Sequence, residues 1–291
     1  MDVRQLRYFL AVVDADSVHQ AAARLRVAQP SVSQALRKLE RELGCELFHR
    51  VKRRLVLNAA GQALVEPARE LVRSLDVVKA TVQAVDGVSG GRLAISSMPS
   101  QAVSPLASLI GGFLRRHPGV EVGVSTAARP EDVCDAVRDG AAEVGLVAVP
   151  NGPLREPGLR VVPLEVQRFV LVARDPDDLP GGTGPLRPEE LRGLGLVVGQ
   201  RGTGMRRAAD AVLAATDCRV AVRVEQREAL LPLVLAGAGV AVVADSWRPL
   251  ALAAGLVVRP LAVDESLHVA LVAPGTRPTP AAAAFLEAAL D

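Results

Sequence analysis

The stretch from Ser17 to Leu43, SVHQAAARLRVAQPSVSQALRKLEREL, constrains the fold more than any other part of the chain. Val18, Ala21, Ala22 and Leu25 recur at helical spacing, so its first half reads as a short helix with one buried face. A second helix opens at Gln29-Pro30-Ser31, because proline suits a first helical position and cannot continue the helix before it. Val32, Leu36, Leu39 and Leu43 form its apolar stripe, and Ser31, Ser33, Gln34, Arg37, Lys38 and Arg41 are left facing outward. The first two turns of that outer face hold no acid, and carry short donors and acceptors able to reach base edges. This is the pattern of a helix-turn-helix whose second helix enters a DNA major groove. Alone it also fits a solvated amphipathic pair, so the flanks decide.

Upstream, Leu6, Phe9, Leu10 and Val13 make one helical stripe that can close a small three-helix core. Ser17 is placed to cap the next helix, and Gly44 to end the second one in a left-handed conformation. Downstream, Leu47-Phe48, the basic run Arg50-Val51-Lys52-Arg53-Arg54 and Leu55-Val56-Leu57 can pair as a hairpin, which reads as a wing. Residues 1–58 hold 11 Lys+Arg against 6 Asp+Glu, about +5, while the rest of the chain is about −3; the overall +2 hides that split. Positive charge gathered in one small domain is an electrostatic footprint for a polyanion. Gln29, Ser31, Ser33, Gln34 and Arg37 are the expected base and near-phosphate contacts, with Pro30 and Lys38 completing the surface. Ser17, Arg50, Lys52, Arg53 and Arg54 are expected to hold the phosphate backbone or reach the adjacent minor groove.

The order Leu-Arg-Tyr-Phe (6–9), Ala-Ala-x-Arg-Leu (21–25), Ala-Gln-Pro-Ser-Val-Ser (28–33), Leu-Glu-x-Glu-Leu-Gly (39–44) and Leu-Phe-x-Arg (47–50) resembles the N-terminal domain of LysR-type transcriptional regulators. The resemblance runs nearly unbroken from Val3 to Gly61, and chain length and later layout also fit. Two departures stand out. Val18 occupies a position usually held by Phe, and the wing exits through Leu57-Asn58-Ala59-Ala60-Gly61 where Leu-Thr-x-x-Gly is usual. Asn caps a helix as well as Thr does, so neither change threatens the fold.

Asn58 opens a long helix on which Leu64, Leu71, Leu75, Val78, Val82 and Val85 follow heptad-like spacings. A DNA-reading unit this small needs a second half-site, and dimerisation through this helix is also what the family resemblance implies. Packing on its own domain is the alternative, and dimer versus tetramer stays open. Pro67 should kink this helix or leave its start frayed. The helix ends at Gly87-Val88-Ser89-Gly90-Gly91, a hinge.

Beyond the hinge, short apolar strands alternate with helices, which implies a mostly parallel, covered sheet. The pattern restarts after Arg160, giving two α/β lobes with chain crossings near residues 161–166 and 262–267, an arrangement like that of periplasmic binding proteins. The resemblance to LysR-type effector domains implies the same. The expected organisation is a winged helix-turn-helix (1–58), a coiled-coil linker helix and hinge (59–90) and an effector domain (91–291). Its first lobe spans 91–161 and 268–291, its second 162–267. In open α/β sheets a ligand lies at the carboxyl ends of strands, against helix N-termini. Ser96–Gln101 and Gln200–Gly204 are two such ends, with hydroxyls and free N–H groups suited to a small anion, most simply a carboxylate. The resemblance implies effector contacts at Ser100, Gln101 and Thr203; Met98 implies a more apolar ligand, and Thr126 and Val147 are further candidates. For the hydroxyl residues at helix starts, simple capping is the competing explanation.

Other signals are weaker. The glycines of Gly199-Gln-Arg-Gly202-Thr-Gly204 lack dinucleotide spacing. The histidines at 19, 49, 117 and 268 show no metal-ligand spacing, and no nucleophile elbow or Ser-His-Asp order occurs, so neither a metal, a cofactor nor a catalytic role is expected. Cys45, Cys134 and Cys218 are isolated and odd in number, which indicates a reducing compartment; only Cys218 lies where a thiol sensor would want a pair. Without a signal peptide or an 18-residue apolar run, a soluble cytoplasmic protein with no membrane partner is expected. An enzyme using the two-lobed cleft and an architectural DNA binder remain as other classes. Turnover of a bound ligand would mark the first, and indifference to small molecules the second.

Overall fold

Two left-handed residues set the geometry of the first helices. Arg26, at φ 54° and ψ 44°, stops α2 (Val18–Leu25), with its N–H directed at the carbonyls of Ala22 and Ala23. Gly44, at φ 73°, stops α3 (Gln29–Leu43) as expected. A non-glycine residue in this region is uncommon, and nothing in the sequence pattern singled out Arg26. In a computed structural model the described residues are 1–15, 17–51, 54–85, 91–150, 152–182 and 184–290. The chain divides into two units, Met1–Val88 and Ser89–Asp291.

In the first unit, α1 (Val3–Ala15) opens with a reciprocal cap: the Asp2 N–H donates to Gln5 Oε1 at 2.6 Å, and the Gln5 N–H donates to Asp2 Oδ1 at 2.8 Å. Leu6, Phe9 and Val12 of α1 pack on Ala21 and Ala22 of α2 and on Val32, Leu36 and Leu39 of α3. Leu43 is a correction: it is 39 % exposed, because the helix has turned its last apolar position away from the core. Strands β1 (Phe48–Val51) and β2 (Arg54–Leu57) form the expected antiparallel hairpin. Phe48 closes the core against Phe9, with ring centroids 5.6 Å apart.

Helix α4 (Ala59–Val85) follows, and Asn58 caps it by accepting from the Gly61 N–H at 2.8 Å. Pro67 lies inside this helix, which is continuous from Ala59 to Val85, so of the expected kink or frayed start the second does not occur. Arg69 is buried and paired with Asp14 at 2.9 Å, tying α4 to the end of α1. Of the hinge expected at residues 87–91, Gly91 already belongs to the first strand of the second unit, and residues 87–90 lie outside the described ones.

The second unit carries two five-stranded sheets. The first is built from β3 (Gly91–Ser97), β4 (Val120–Thr126), β5 (Val144–Pro150), β6 (Leu159–Gln167) and, late in the chain, β12 (Leu267–Pro274), in the order β4-β3-β5-β12-β6. Helices α5 (Pro99–Gln101), α6 (Ala107–Arg116), α7 (Pro130–Arg138) and α11 (Pro280–Ala288) belong to this lobe. A wide turn over Ala102–Leu106 joins α5 to α6, with Ser104 extended at φ −159°.

The second sheet has β7 (Phe169–Ala173), β8 (Gly195–Val198), β9 (Arg219–Arg223), β10 (Val240–Ala244) and β11 (Val257–Pro260), in the order β11-β7-β10-β8-β9. Its helices are α8 (Gly204–Ala215), α9 (Leu230–Leu235) and α10 (Arg248–Ala253).

Two expectations change here. The sheets are mixed rather than mostly parallel: β3, β4 and β5 run together, as do β8, β9 and β10, but β12 in the first sheet and β7 in the second run the other way, so that β6 and β11, which pair with them, are also bonded antiparallel. Strands that return across the lobe boundary must come back in the opposite direction, which the alternation of strands and helices could not reveal. The first crossing is not at residues 161–166, which are part of β6; the chain passes from Gln167 through Arg168 to Phe169. The first lobe therefore keeps residues 162–167. The second crossing, between Pro260 and Leu267, falls where expected. Among the described residues no helix is long and apolar enough to cross a membrane.

Candidate DNA-reading face and effector cleft

On α3 the expected contact residues lie on one surface: Gln29, Pro30, Gln34, Arg37 and Lys38 are exposed, and Ser31 and Ser33 half-buried. The two cations differ. Lys38 stands 4.0 Å from Glu42, whose carboxyl is held below its usual range chiefly by a hydrogen bond from the chain's amino terminus. Arg37 has no carboxylate partner among the described residues, so its guanidinium is the freer of the two. Gln34 and Arg37 also line a groove of about 600 Å³ with Glu40, Arg41, Gly44, Cys45 and Glu46.

Ser17 sits at the N-cap position of α2, but its hydroxyl makes no capping bond there. In the wing, Arg50 pairs with Leu55 and Val51 with Arg54 through the backbone. Lys52 and Arg53 lie outside the described residues, as do the side chains of Arg50 and Arg54.

Strand registers define the cleft of the second unit. In the first sheet Ser97 pairs with Thr126 and Leu146, while Leu267 pairs with both Pro150 and Gln167. These residues therefore lie along one sheet edge. In the second sheet Val198 pairs with Arg223, and Ala244 with Phe169, marking the corresponding edge. One residue, Arg168, joins Gln167 to Phe169, so the two edges meet at the lobe boundary. The carboxyl ends of both parallel strand sets converge there, the position at which open α/β sheets bind ligands.

The segment after β3 reaches across this boundary. Ser100 is 5 % exposed; its hydroxyl accepts from Arg227 Nη1 at 2.8 Å and its carbonyl accepts from Trp247 Nε1 at 3.1 Å. The Ser104 hydroxyl donates to the Ser246 carbonyl at 2.8 Å, and the Ser246 hydroxyl to the Ser104 carbonyl at 3.4 Å. Gln101 is buried beside them in sequence, and Met98 is half-buried, its sulfur accepting from the Ala148 N–H at 3.4 Å.

On the second lobe Thr203 caps α8, accepting from the Arg206 N–H at 3.3 Å, and its own hydroxyl donates to the Gln200 carbonyl at 3.0 Å. A Cβ on the neighbouring Gly204 would lie 2.5 Å from Leu267, which puts this helix start against the first lobe. Thr126 is exposed at the end of β4.

Val147 is a correction. It is fully buried with Val133, Cys134 and Val137, under α7. Strand alternation sends its side chain to the helix-covered face.

Sequence reasoning missed Arg227, Ser246 and Trp247. A signal for the first was present: Arg227 opens a helical turn, the end of a helix at which a cation is electrostatically unfavourable, so a reason outside the helix was needed. The three cysteines are free; Cys45 is exposed, and Cys134 and Cys218 are buried. The Cys218 thiol donates to the Leu191 carbonyl at 3.3 Å.

A helix-turn-helix with a hairpin wing, followed by a two-lobed α/β domain with its cleft at converging strand ends, defines a ligand-responsive DNA-binding regulator. Residues 3–62 match the bacterial regulatory helix-turn-helix family of LysR type, and residues 86–291 the LysR substrate-binding domain. The chain belongs to the LysR family of transcriptional regulators. It is 30 % identical over 260 residues to the regulator IlvR of Caulobacter vibrioides, covering 86 % of this chain and 85 % of that one. It is 31 % identical over 256 residues to TcbR of a Pseudomonas species, covering 84 % and 83 %. In fold it resembles a full-length OxyR variant from Pseudomonas aeruginosa (TM-score 0.71, 22 % identity, covering 99 % of this chain and 94 % of that one). It also resembles full-length CbnR in complex with its target DNA (TM-score 0.58, 24 % identity, 99 % of each chain).

Proposed function

We propose that this regulator reads paired half-sites through α3 and the wing, dimerises through α4, and responds to a small organic anion held between the lobes of residues 91–291. Residues 1–58 act as the head and 59–90 as linker and hinge. The observation that carries the DNA half is Arg37: an exposed guanidinium, free of any described carboxylate, between Gln34 and Lys38 on a helix whose first two turns hold no acid. Gln29, Ser31, Ser33, Gln34 and Arg37 read bases, with Pro30 and Lys38 beside them, and Ser17, Arg50, Lys52, Arg53 and Arg54 hold phosphates. Met98, Ser100, Gln101, Thr126 and Thr203 contact the effector. The ligand acts by differential affinity for two lobe arrangements, which alters the spacing of the paired heads.

The protein works where its DNA is, in the cytoplasm, and performs no catalysis: no nucleophile or acid–base set is apparent in its sequence. The test is fluorescence anisotropy against the DNA upstream of its own gene, with excess nonspecific competitor, at two salt concentrations. Tight binding that survives competitor is expected. Arg53→Ala should lower the salt slope by about one unit on all DNA, whereas Arg37→Ala should also relax sequence preference. Binding that disappears into competitor at both salts would leave only backbone electrostatics and overturn the reading.

A further inference from the structure

We propose that Arg227 is the anion-binding group of the effector cleft, taking the carboxylate of a small organic anion in place of the Ser100 hydroxyl. The proposal rests on the effector-binding reading above and adds to it a residue and a consequence for lobe contact.

Three arginines are buried among the described residues: Arg69, Arg206 and Arg227. The first two have an acid. Asp14 stands 2.9 Å from Arg69, and Asp210 stands 2.7 Å from Arg206. Arg227, 6 % exposed, has no carboxylate at ion-pair distance among the described residues, and its one side-chain hydrogen bond goes to the neutral Ser100 hydroxyl. A cation taken out of water is strongly disfavoured unless an anion answers it. Burial accordingly pushes the guanidinium below its ordinary pKa, and Glu228 next to it in sequence opposes that only in part.

Local structure does not explain the position either. Arg227 begins the turn Arg227–Ala229 that leads into α9, where the helix dipole favours an acid. A guanidinium carries five N–H donors in a planar fork, and one bond to a hydroxyl leaves the fork free for two-point binding of a carboxylate. Trp247, itself fully buried, donates to the Ser100 carbonyl and holds the segment that carries the Ser100 hydroxyl. A ligand with a carboxylate suits this chemistry.

The Arg227–Ser100 bond joins the lobes, as do the Trp247–Ser100 bond and the two Ser104–Ser246 bonds. An anion that claims Arg227 therefore removes one of these bonds and makes its own binding energy depend on lobe arrangement. That is the differential affinity an effector response requires.

Trp247 is the only tryptophan in the chain and reports on this contact directly. The full-length protein is titrated with benzoate and with succinate at constant ionic strength, and with benzamide and succinamide as uncharged matches, while Trp247 emission is followed. The expected result is a saturable emission change with at least one acid and none with its amide. That response should be about tenfold weaker or more in Arg227→Gln and partly restored in Arg227→Lys. Thermal melts and operator binding of both variants establish that they are folded.

An unchanged acid titration in Arg227→Gln overturns the proposal. So do amides that match their acids, and so does the lack of a saturable response to either acid. Effector binding itself is judged separately by operator anisotropy: a neutral compound that alters DNA binding while the acids do not would sustain a ligand-responsive regulator, but overturn both the anionic class of its effector and the role of Arg227.

Discussion

The side chain of Asn58 accepts from the Gly61 N–H at 2.8 Å, while its own amide donates to the Glu46 carbonyl at 2.6 Å. One residue thus caps the long helix and binds the entrance of the wing. Gly61 lies so close to that entrance that a Cβ there would stand 2.2 Å from the Leu47 carbonyl oxygen and 2.7 Å from Leu57. The backbone oxygen cannot yield as a side chain would.

Gly61→Ala should therefore destabilise the DNA-reading unit by about 1–3 kcal/mol, the usual cost of overpacking. Denaturant unfolding followed by circular dichroism, together with operator affinity, measures this. Wild-type stability in the variant would show that α4 can shift away from Leu47 without loss.

Leu71, Val78 and Val82 of α4 are 48, 57 and 59 % exposed in the single chain, and Leu71, Leu75 and Val78 line an apolar groove of about 340 Å³ with Met1, Val3 and Leu6. A second α4 is the proposed cover. Light scattering on Leu71→Arg with Leu75→Arg should report monomers, with operator binding weakened by the loss of a second half-site. A dimer that survives both charges would place the interface elsewhere.

Thr203 uses its hydroxyl twice, as cap to Arg206 and as donor to Gln200. Thr203→Val should cost about 0.5–2 kcal/mol of stability and weaken the effector response, while Thr203→Ser keeps both. The comparison separates cap from ligand contact: a variant that loses stability but retains its effector titration would leave Thr203 a cap alone.

Burial, reinforced by Glu156, pushes the Cys134 thiol from 9.0 up to about 11. The unfolded chain ionises this group first, so the stability from keeping it neutral is complete below pH 9 and is lost as pH rises from 9 toward 11. Cys134→Ala should flatten that part of the stability profile. At pH 8 a thiol reagent should label exposed Cys45 rapidly, with Cys134 and Cys218 reacting only on unfolding. Rapid labelling of all three cysteines would contradict the burial.

What the sequence determined by itself was local and periodic. The helix-turn-helix, its proline start, the Gly44 stop, the wing hairpin and most strands of the effector domain follow from apolar spacing and turn chemistry, which act within a few residues. Even so, β6 and β11 were hidden in segments that read as crossing or connection.

Tertiary structure decided whatever depends on contacts between distant segments. The reversed direction of β12 and β7, the crossing at Arg168 and the inward turn of Val147 follow from how the strands assemble into sheets. Exposure of Leu43 follows from how its helix sits on the core. Ser100 could be proposed for the cleft, but its partners Arg227 and Trp247 stand 127 and 147 residues further along. No periodicity links positions so far apart; the cost of closing such long loops is met only by cooperative packing of the whole domain. Sequence thus placed the elements, and packing chose which charges and hydroxyls meet between them.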